Sequence, residues 1–127
     1  MINPRAENSS TRPIVVVVDD DPAVRTSLAF SLEIEGVAVR VYATAAELLM
    51  EVPPAACFII EYKLPGMSGL DLLAELRRRC VGSPAILIMT HPSAAVRERA
   101  AMSGTVLIEK PLLGDALFQE IRSALRM

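Results

Sequence analysis

Residues 57–69 read Cys-Phe-Ile-Ile-Glu-Tyr-Lys-Leu-Pro-Gly-Met-Ser-Gly. Residues 57–60 form a short unbroken apolar run, the pattern of a strand buried on both faces. A carboxylate, Glu61, follows at once. Pro65-Gly66 is a turn signal, and Ser68 with Asp71 three residues on opens a helix. The order is strand, carboxylate, turn, helix. In an open α/β sheet the carboxyl ends of the strands are where ligands bind, so Glu61 stands where chemistry is placed.

The same unit recurs on either side. Residues 1–12 are polar and unpatterned and are expected to be a disordered N-terminal tail, with one domain over residues 13–127. Residues 14–18 are a β-branched run without alternation, again a doubly buried strand. It ends in Asp19-Asp20-Asp21-Pro22, where Asp21 suits a helix N-cap and Pro22 the first helical position. Val24, Leu28 and Leu32 recur at helical spacing to about Glu35, and Gly36 closes that helix. Residues 37–42 alternate as a strand. Thr44 and Glu47 form a capping box for a short helix that Pro53-Pro54 end. Leu70, Leu73 and Leu76 give the helix after Ser68 an apolar face, with Arg77, Arg78 and Arg79 in its last turn, where cations suit the dipole. Residues 84–89 predict a buried strand ending in Thr90. A helix runs from Pro92-Ser93 through Met102 to Gly104. Residues 105–109 predict the last strand, ending in Lys110-Pro111, and Leu117, Ile121 and Leu125 mark the final helix. Five strands alternating with five helices predict a doubly wound parallel sheet covered on both faces, of order 2-1-3-4-5.

Composition bounds the function. The 127 residues are 52% hydrophobic but only 4% aromatic, so the core is aliphatic. A net charge of -2 with mixed signs gives no basic stripe for nucleic acid. The apolar runs are too short to span a bilayer, and the N-terminus lacks the apolar core of a signal peptide. Cys57, in an apolar run, and Cys80, at a helix end, suit neither a disulfide framework nor a metal site. A cytoplasmic protein is expected.

Strand ends of a parallel sheet share one edge, so Asp19, Asp20, Glu61, Thr90 and Lys110 are expected to converge at the switch point. Three close carboxylates repel one another unless a cation intervenes. Hard oxygen ligands suit Mg²⁺. A metal, an ammonium and a hydroxyl around a carboxylate make a phosphoryl site.

The chain resembles the receiver domain of two-component response regulators over residues 14–126. The matching stretches are Val17-Val18-Asp19-Asp20-Asp21-Pro22-Ala23-Val24-Arg25, Leu64-Pro65-Gly66-Met67-Ser68-Gly69-Leu70-Asp71-Leu72, Ile88-Met89-Thr90 and Glu109-Lys110-Pro111. The resemblance implies a flavodoxin-like fold. It implies Asp19 and Asp20 as the acidic pair for Mg²⁺, with residue 61 and the backbone carbonyl of Lys63 in the metal shell. It makes residue 61 the phosphoacceptor, Thr90 the switch hydroxyl and Lys110 the phosphate contact. It implies a sensor histidine kinase or another signalling protein as partner, and a helix 4–strand 5–helix 5 face for docking or homodimers.

Four departures qualify the resemblance. The phosphoacceptor position holds Glu61 rather than Asp, which moves the carboxylate out by about 1.5 Å. His91 follows Thr90 where a small residue is usual. Leu107 stands at the switch-aromatic position. The spacing from Gly104 to Lys110 is one residue short. The chain therefore reads as an atypical, stand-alone and non-enzymatic receiver that signals by protein–protein interaction, independent of phosphorylation. It is expected to contact neither nucleic acid nor membrane. No DNA-binding segment is expected after residue 127, so the output is expected to lie in a partner. Lys110 pairing directly with Glu61, in place of a metal, is the competing arrangement at the site. One alternative is a switchable receiver, still phosphorylated or metal-gated. Another, from a different class, is a Mg²⁺-dependent phosphotransferase or hydrolase. It lacks a general base beyond the carboxylates and a substrate-recognition insertion. A flavin or nucleotide binder lacks the Gly-rich loop after the first strand. The three consecutive arginines read as a solvated helix end, His91 as a loop residue and Cys57 as core. Arg97, Arg99, Asp115 and Glu120 read equally as a partner face or as ordinary solvated surface.

Overall fold

Val15, Val16, Val17 and Val18 have no exposed surface. A strand sealed in this way lies inside a sheet with cover on both faces, and β1 (Ile14–Val18) does so. The computed structural model describes residues 12–112 and 115–125. The expected N-terminal tail lies outside the described residues except for Arg12.

In chain order β1 is followed by α1 (Pro22–Ile34), β2 (Ala38–Tyr42), α2 (Ala45–Met50), β3 (Cys57–Glu61), α3 (Gly69–Arg78), β4 (Ala85–Thr90), α4 (Ala94–Met102), β5 (Val106–Lys110) and α5 (Ala116–Leu125). The sheet order is β2-β1-β3-β4-β5 and every neighbouring pair is parallel. The fold is the flavodoxin-like one expected. Register places Val18 opposite Ile60, Glu61 opposite Ile88 and Thr90 opposite Lys110. The chemistry-bearing strand ends therefore share one edge.

Side-chain alternation divides the core in two. Val15, Val17, Cys57, Ile59, Ile86 and Ile88 meet Leu28 and Leu32 of α1 and Leu117 and Ile121 of α5. Val16, Val18, Phe58, Ile60 and Leu87 meet Leu48 of α2, Leu72 and Leu76 of α3 and Ala100 of α4. Leu72 adds to the α3 face read from sequence, and Leu70 is only half-buried. A helix lying on a sheet needs an apolar stripe wider than a single row.

The caps follow the sequence closely. Asp21 Oδ1 accepts from the Ala23 amide at 2.9 Å, with Pro22 in the first turn. Thr44 with Glu47 and Ser68 with Asp71 both close as full capping boxes. Gly36 takes φ 92° just past α1, a left-handed conformation open to glycine. The arginine run does more than sit in solvent. Arg79 Nη1 donates to the Leu49 carbonyl at 2.7 Å, tying α3 to α2. Arg77 Nη1 donates to the Val81 carbonyl at 2.7 Å. Among the described residues no helix is long and apolar enough to cross a membrane.

The turn after β3 is held by a close approach. Gly69 donates its amide to the Tyr62 carbonyl at 2.7 Å. A Cβ at Gly69 would lie 2.6 Å from the Glu61 carbonyl oxygen and 3.0 Å from both Ile60 Cγ2 and Leu87 Cδ2. Gly69→Ala must therefore shift α3 away from the strand end that carries the site. It is expected to destabilise the protein by about 1–3 kcal/mol, read from the midpoint of urea unfolding at unchanged slope.

Candidate functional site

The site starts from the end of β1. Asp19 is fully buried. Its amide donates to the Tyr42 carbonyl at 3.1 Å, continuing the β1–β2 ladder by one residue. Its Oδ1 accepts the Asp21 amide at 2.9 Å, and its carbonyl accepts Arg25 Nη1 at 2.8 Å. The backbone turn and the first turn of α1 thus fix this carboxylate before any ligand arrives. Glu61, the last residue of β3, is 6% exposed. Its Oε2 accepts the Lys63 amide at 2.8 Å.

Lys110 joins the two acids. It ends β5, and β4 lies between β5 and β3 in the sheet. Its long stem carries Nζ back across that edge. Nζ donates to Glu61 Oε1 at 2.6 Å and to Asp19 Oδ2 at 2.8 Å. These are short, charge-assisted bonds. The Lys110 side chain is 14% exposed, against 8% for Glu61 and none for Asp19. Burial by itself pushes the Lys110 pKa down. The hydrogen bonds and charges of Asp19 and Glu61 outweigh it and hold the pKa above the ordinary lysine value.

The other expected residues surround this pair of contacts. Asp20 and Thr90 are exposed on the rim. With Asp19, Asp21, Glu61, Lys63, Met89, His91 and Lys110 they line an open cavity of about 560 Å³. Lys63, read from the sequence for its carbonyl, engages the site through its amide. Among the described residues no group of three or more His, Cys, Asp and Glu side chains is arranged to hold a metal ion. Asp19 and Glu61 both face the ammonium instead. Leu107 is half-buried and packs against the hydrophobic cluster on the α2–α3–α4 face, which includes Phe58. His91 is exposed at φ 49°, its Nδ1 3.9 Å from the Glu109 carboxylate.

Arg97 and Arg99, which read equally as partner face or as solvated surface, have partners within the chain. Arg97 Nη2 donates to Glu109 Oε1 at 2.8 Å, and Arg99 Nη1 to the Tyr62 hydroxyl at 2.9 Å. They tie α4 to β5 and to the residue after β3. Arg25 is the residue that sequence reading passed over. It lay inside a quoted motif, but its reach back to the Asp19 carbonyl depends on the angle at which α1 leaves β1.

The family model described as "Response regulator receiver domain" matches residues 15–122. The chain belongs to that family. As a receiver domain it is 37% identical over 114 residues to the transcriptional regulatory protein FixJ of Azorhizobium caulinodans, covering 87% of this chain and 54% of that one. It is 34% identical over 119 residues to nodulation protein W of Bradyrhizobium diazoefficiens, covering 91% and 52%. The chain thus spans about half the length of these relatives. Among solved structures, a CheY-like receiver domain protein from Methanospirillum hungatei superposes with a TM-score of 0.83 at 28% identity, covering 91% of this chain and 95% of that one. The structure titled FixJ-N superposes at 0.80 with 30% identity, covering 91% and 95%.

Removing Lys110 from the receiver site leaves two buried carboxylates without their counter-charge. Lys110→Met is expected to cost about 3–5 kcal/mol near neutral pH. The Lys110 pKa is higher in the folded chain than in the unfolded one, so the unfolded chain releases this proton first as pH rises. The stability Lys110 contributes is complete below about pH 10 and is lost as pH climbs through the folded-state value. In urea titrations at neutral and strongly alkaline pH, the gap between wild type and Lys110→Met is expected to narrow at the alkaline end.

Proposed function

We propose that this chain is an atypical receiver domain that takes no phosphoryl group at residue 61 and signals by protein–protein contact from one standing conformation. The observation that carries this reading is the engagement of Glu61. One carboxylate oxygen accepts Lys110 at 2.6 Å and the other accepts the Lys63 amide at 2.8 Å. In-line attack on a phosphodonor needs an oxygen placed to ångström accuracy. The extra methylene of Glu moves that oxygen out by about 1.5 Å, toward the space a phosphoryl group would occupy.

The output side supports the same reading. Receiver domains switch their partners by moving a hydroxyl and an aromatic ring between two arrangements. Here Leu107 holds the aromatic position and packs against the hydrophobic cluster on the α2–α3–α4 face. It has no ring to exchange between a buried and an exposed pose. Nor is Glu61 a strong stand-in for a phosphoryl group. It carries one negative charge against about two for phosphate, and Lys110 lies against that one.

Receiver domains interact with sensor kinases or other signalling proteins. For this chain we place the contact surface on the α4–β5–α5 face, with a homodimer through that face as one form it takes. The Arg97–Glu109 pair braces α4 against β5 there. The relatives named as transcriptional regulators are about twice the matched length, and no nucleic-acid contact is proposed for the receiver itself. No catalytic turnover is proposed.

Incubation with a small phosphodonor and Mg²⁺, followed by intact-mass measurement, tests the reading. Wild type is expected to keep its mass, and Glu61→Asp to gain one phosphoryl group. Stoichiometric gain by the wild type would overturn the proposal in favour of a switchable receiver.

A further inference from the structure

We infer that the open edge of β2 and the outer face of α1 form a self-complementary surface on which a second copy of this chain docks, joining the two sheets through antiparallel β2 strands. This surface lies at the opposite edge of the sheet from the α4–β5–α5 face, so the inference goes beyond the proposed function and does not depend on it.

β2 is the end strand of the sheet. In a parallel ladder alternate residues turn their backbone groups toward the neighbouring strand. Ala38 donates its amide to the Pro13 carbonyl at 2.9 Å, and the Tyr42 carbonyl accepts the Asp19 amide at 3.1 Å. Residues 38, 40 and 42 therefore face β1, and the amides and carbonyls of Val39 and Val41 face outward. An edge of this kind pairs with another strand unless a proline, a bulge or a charged side chain blunts it. β2 reads Ala-Val-Arg-Val-Tyr and keeps register with β1 over all five residues, so it contains neither proline nor bulge. Its one charge, Arg40, alternates onto the α2 side of the sheet.

On the α1 side the edge is apolar. Phe30 is 66% exposed and Val41 44%. With Thr26 and Ala29 they line a groove of about 410 Å³ between the helix and the strand. Ile34, one turn further along α1, is 68% exposed and extends the patch. Large apolar side chains gathered beside an open strand edge mark an interaction surface.

The charges of the groove point to its occupant. Arg25 and Glu33 line it too, and they stand four residues to either side of Ala29 on one stripe of α1. A two-fold axis perpendicular to the sheet at the β2 edge runs both β2 and α1 antiparallel to their mates. Centred near Ala29, it sets each Glu33 against Arg25 of the second copy, and the small alanine lets the helices approach. Arg25 Nη1 donates to the Asp19 carbonyl, and the guanidinium keeps further N–H groups for that contact. A patch that holds both signs of charge and an unpaired strand about one centre is complementary to itself, as an isologous dimer requires. Charge also selects the strand register. Centring the pair on Val39 places Arg40 opposite Ala38 of the second copy, whereas centring on Arg40 would set two arginines face to face.

Sedimentation velocity of the full chain from micromolar to millimolar concentration, with amide hydrogen exchange read by NMR at both ends of that range, tests the inference. Wild type is expected to form a reversible dimer. The Val39 and Val41 amides are expected to exchange rapidly when dilute and slowly when concentrated, while the Arg40 amide, directed at β1, stays protected throughout. Phe30→Asp, at an exposed position, is expected to weaken dimerisation about 10-fold or more. Glu33→Lys is expected to weaken it by a smaller factor that shrinks as salt is added. Val106→Asp, on the far edge of the sheet, is expected to leave it unchanged. A chain that stays monomeric overturns the inference and leaves the face to another occupant. So does a dimer that Val106→Asp disrupts and Phe30→Asp does not, or one in which the Val39 and Val41 amides gain no protection, because the contact then lies elsewhere. None of these readouts bears on whether residue 61 takes a phosphoryl group.

Discussion

One ammonium holds three strand ends together. Lys110 Nζ, at the end of β5, lies within 2.8 Å of an oxygen of Asp19 after β1 and 2.6 Å of an oxygen of Glu61 on β3. Two buried carboxylates facing one ammonium repel each other, and a positive charge between them offsets that repulsion. The lysine supplies it. The three residues form one unit, and it is removal of the lysine that would leave both buried acids unpaired.

The sheet makes that unit possible and also makes it necessary. With order β2-β1-β3-β4-β5, the two acids come from adjacent central strands and the lysine from the edge strand two places away. A long flexible side chain can cross that distance where a short one cannot. Asp19 and Glu61 are buried because the valines and isoleucines before them are buried, and an inward-facing carboxylate at the end of such a strand cannot turn to solvent. The flanking hydrogen bonds complete the setting. The Asp21 and Lys63 amides each come from the turn that follows a carboxylate. Arg25 fixes the backbone of Asp19 from the first turns of α1.

On the proposed reading, position 61 sets what this frame does. The family frame combines an acidic pair, a phosphoacceptor, a hydroxyl and a lysine. On the proposed reading the added methylene of Glu61 carries its carboxylate toward the space an incoming group would need, and that carboxylate accepts Lys110. The same reading assigns Leu107, a half-buried aliphatic side chain, a matching part on the output side, where it offers no ring to exchange between two poses. In the proposed reading both departures favour a single state, one at the site and one where the site's state would be read.

Much of this was legible in the residues alone. The doubly buried strands, the caps at Asp21, Thr44 and Ser68, the sheet order and the gathering of Asp19, Asp20, Glu61, Thr90 and Lys110 all follow from local rules of burial, capping and turn chemistry. Those rules act over a few residues, so a sequence displays them. Three things were not legible. The reach of Lys110 to Asp19 as well as to Glu61, the use of the Lys63 amide, and the engagement of Arg25, Arg97 and Arg99 within the chain each depend on distances across strands or between a helix and a strand. Such distances are set by sheet twist, helix tilt and side-chain reach, which no local pattern encodes. The sequence by itself determined which charged groups would meet at the strand ends. Only the tertiary structure decided which would pair, because in a buried cluster the partner is fixed by a few tenths of an ångström and by the side chain long enough to close the gap.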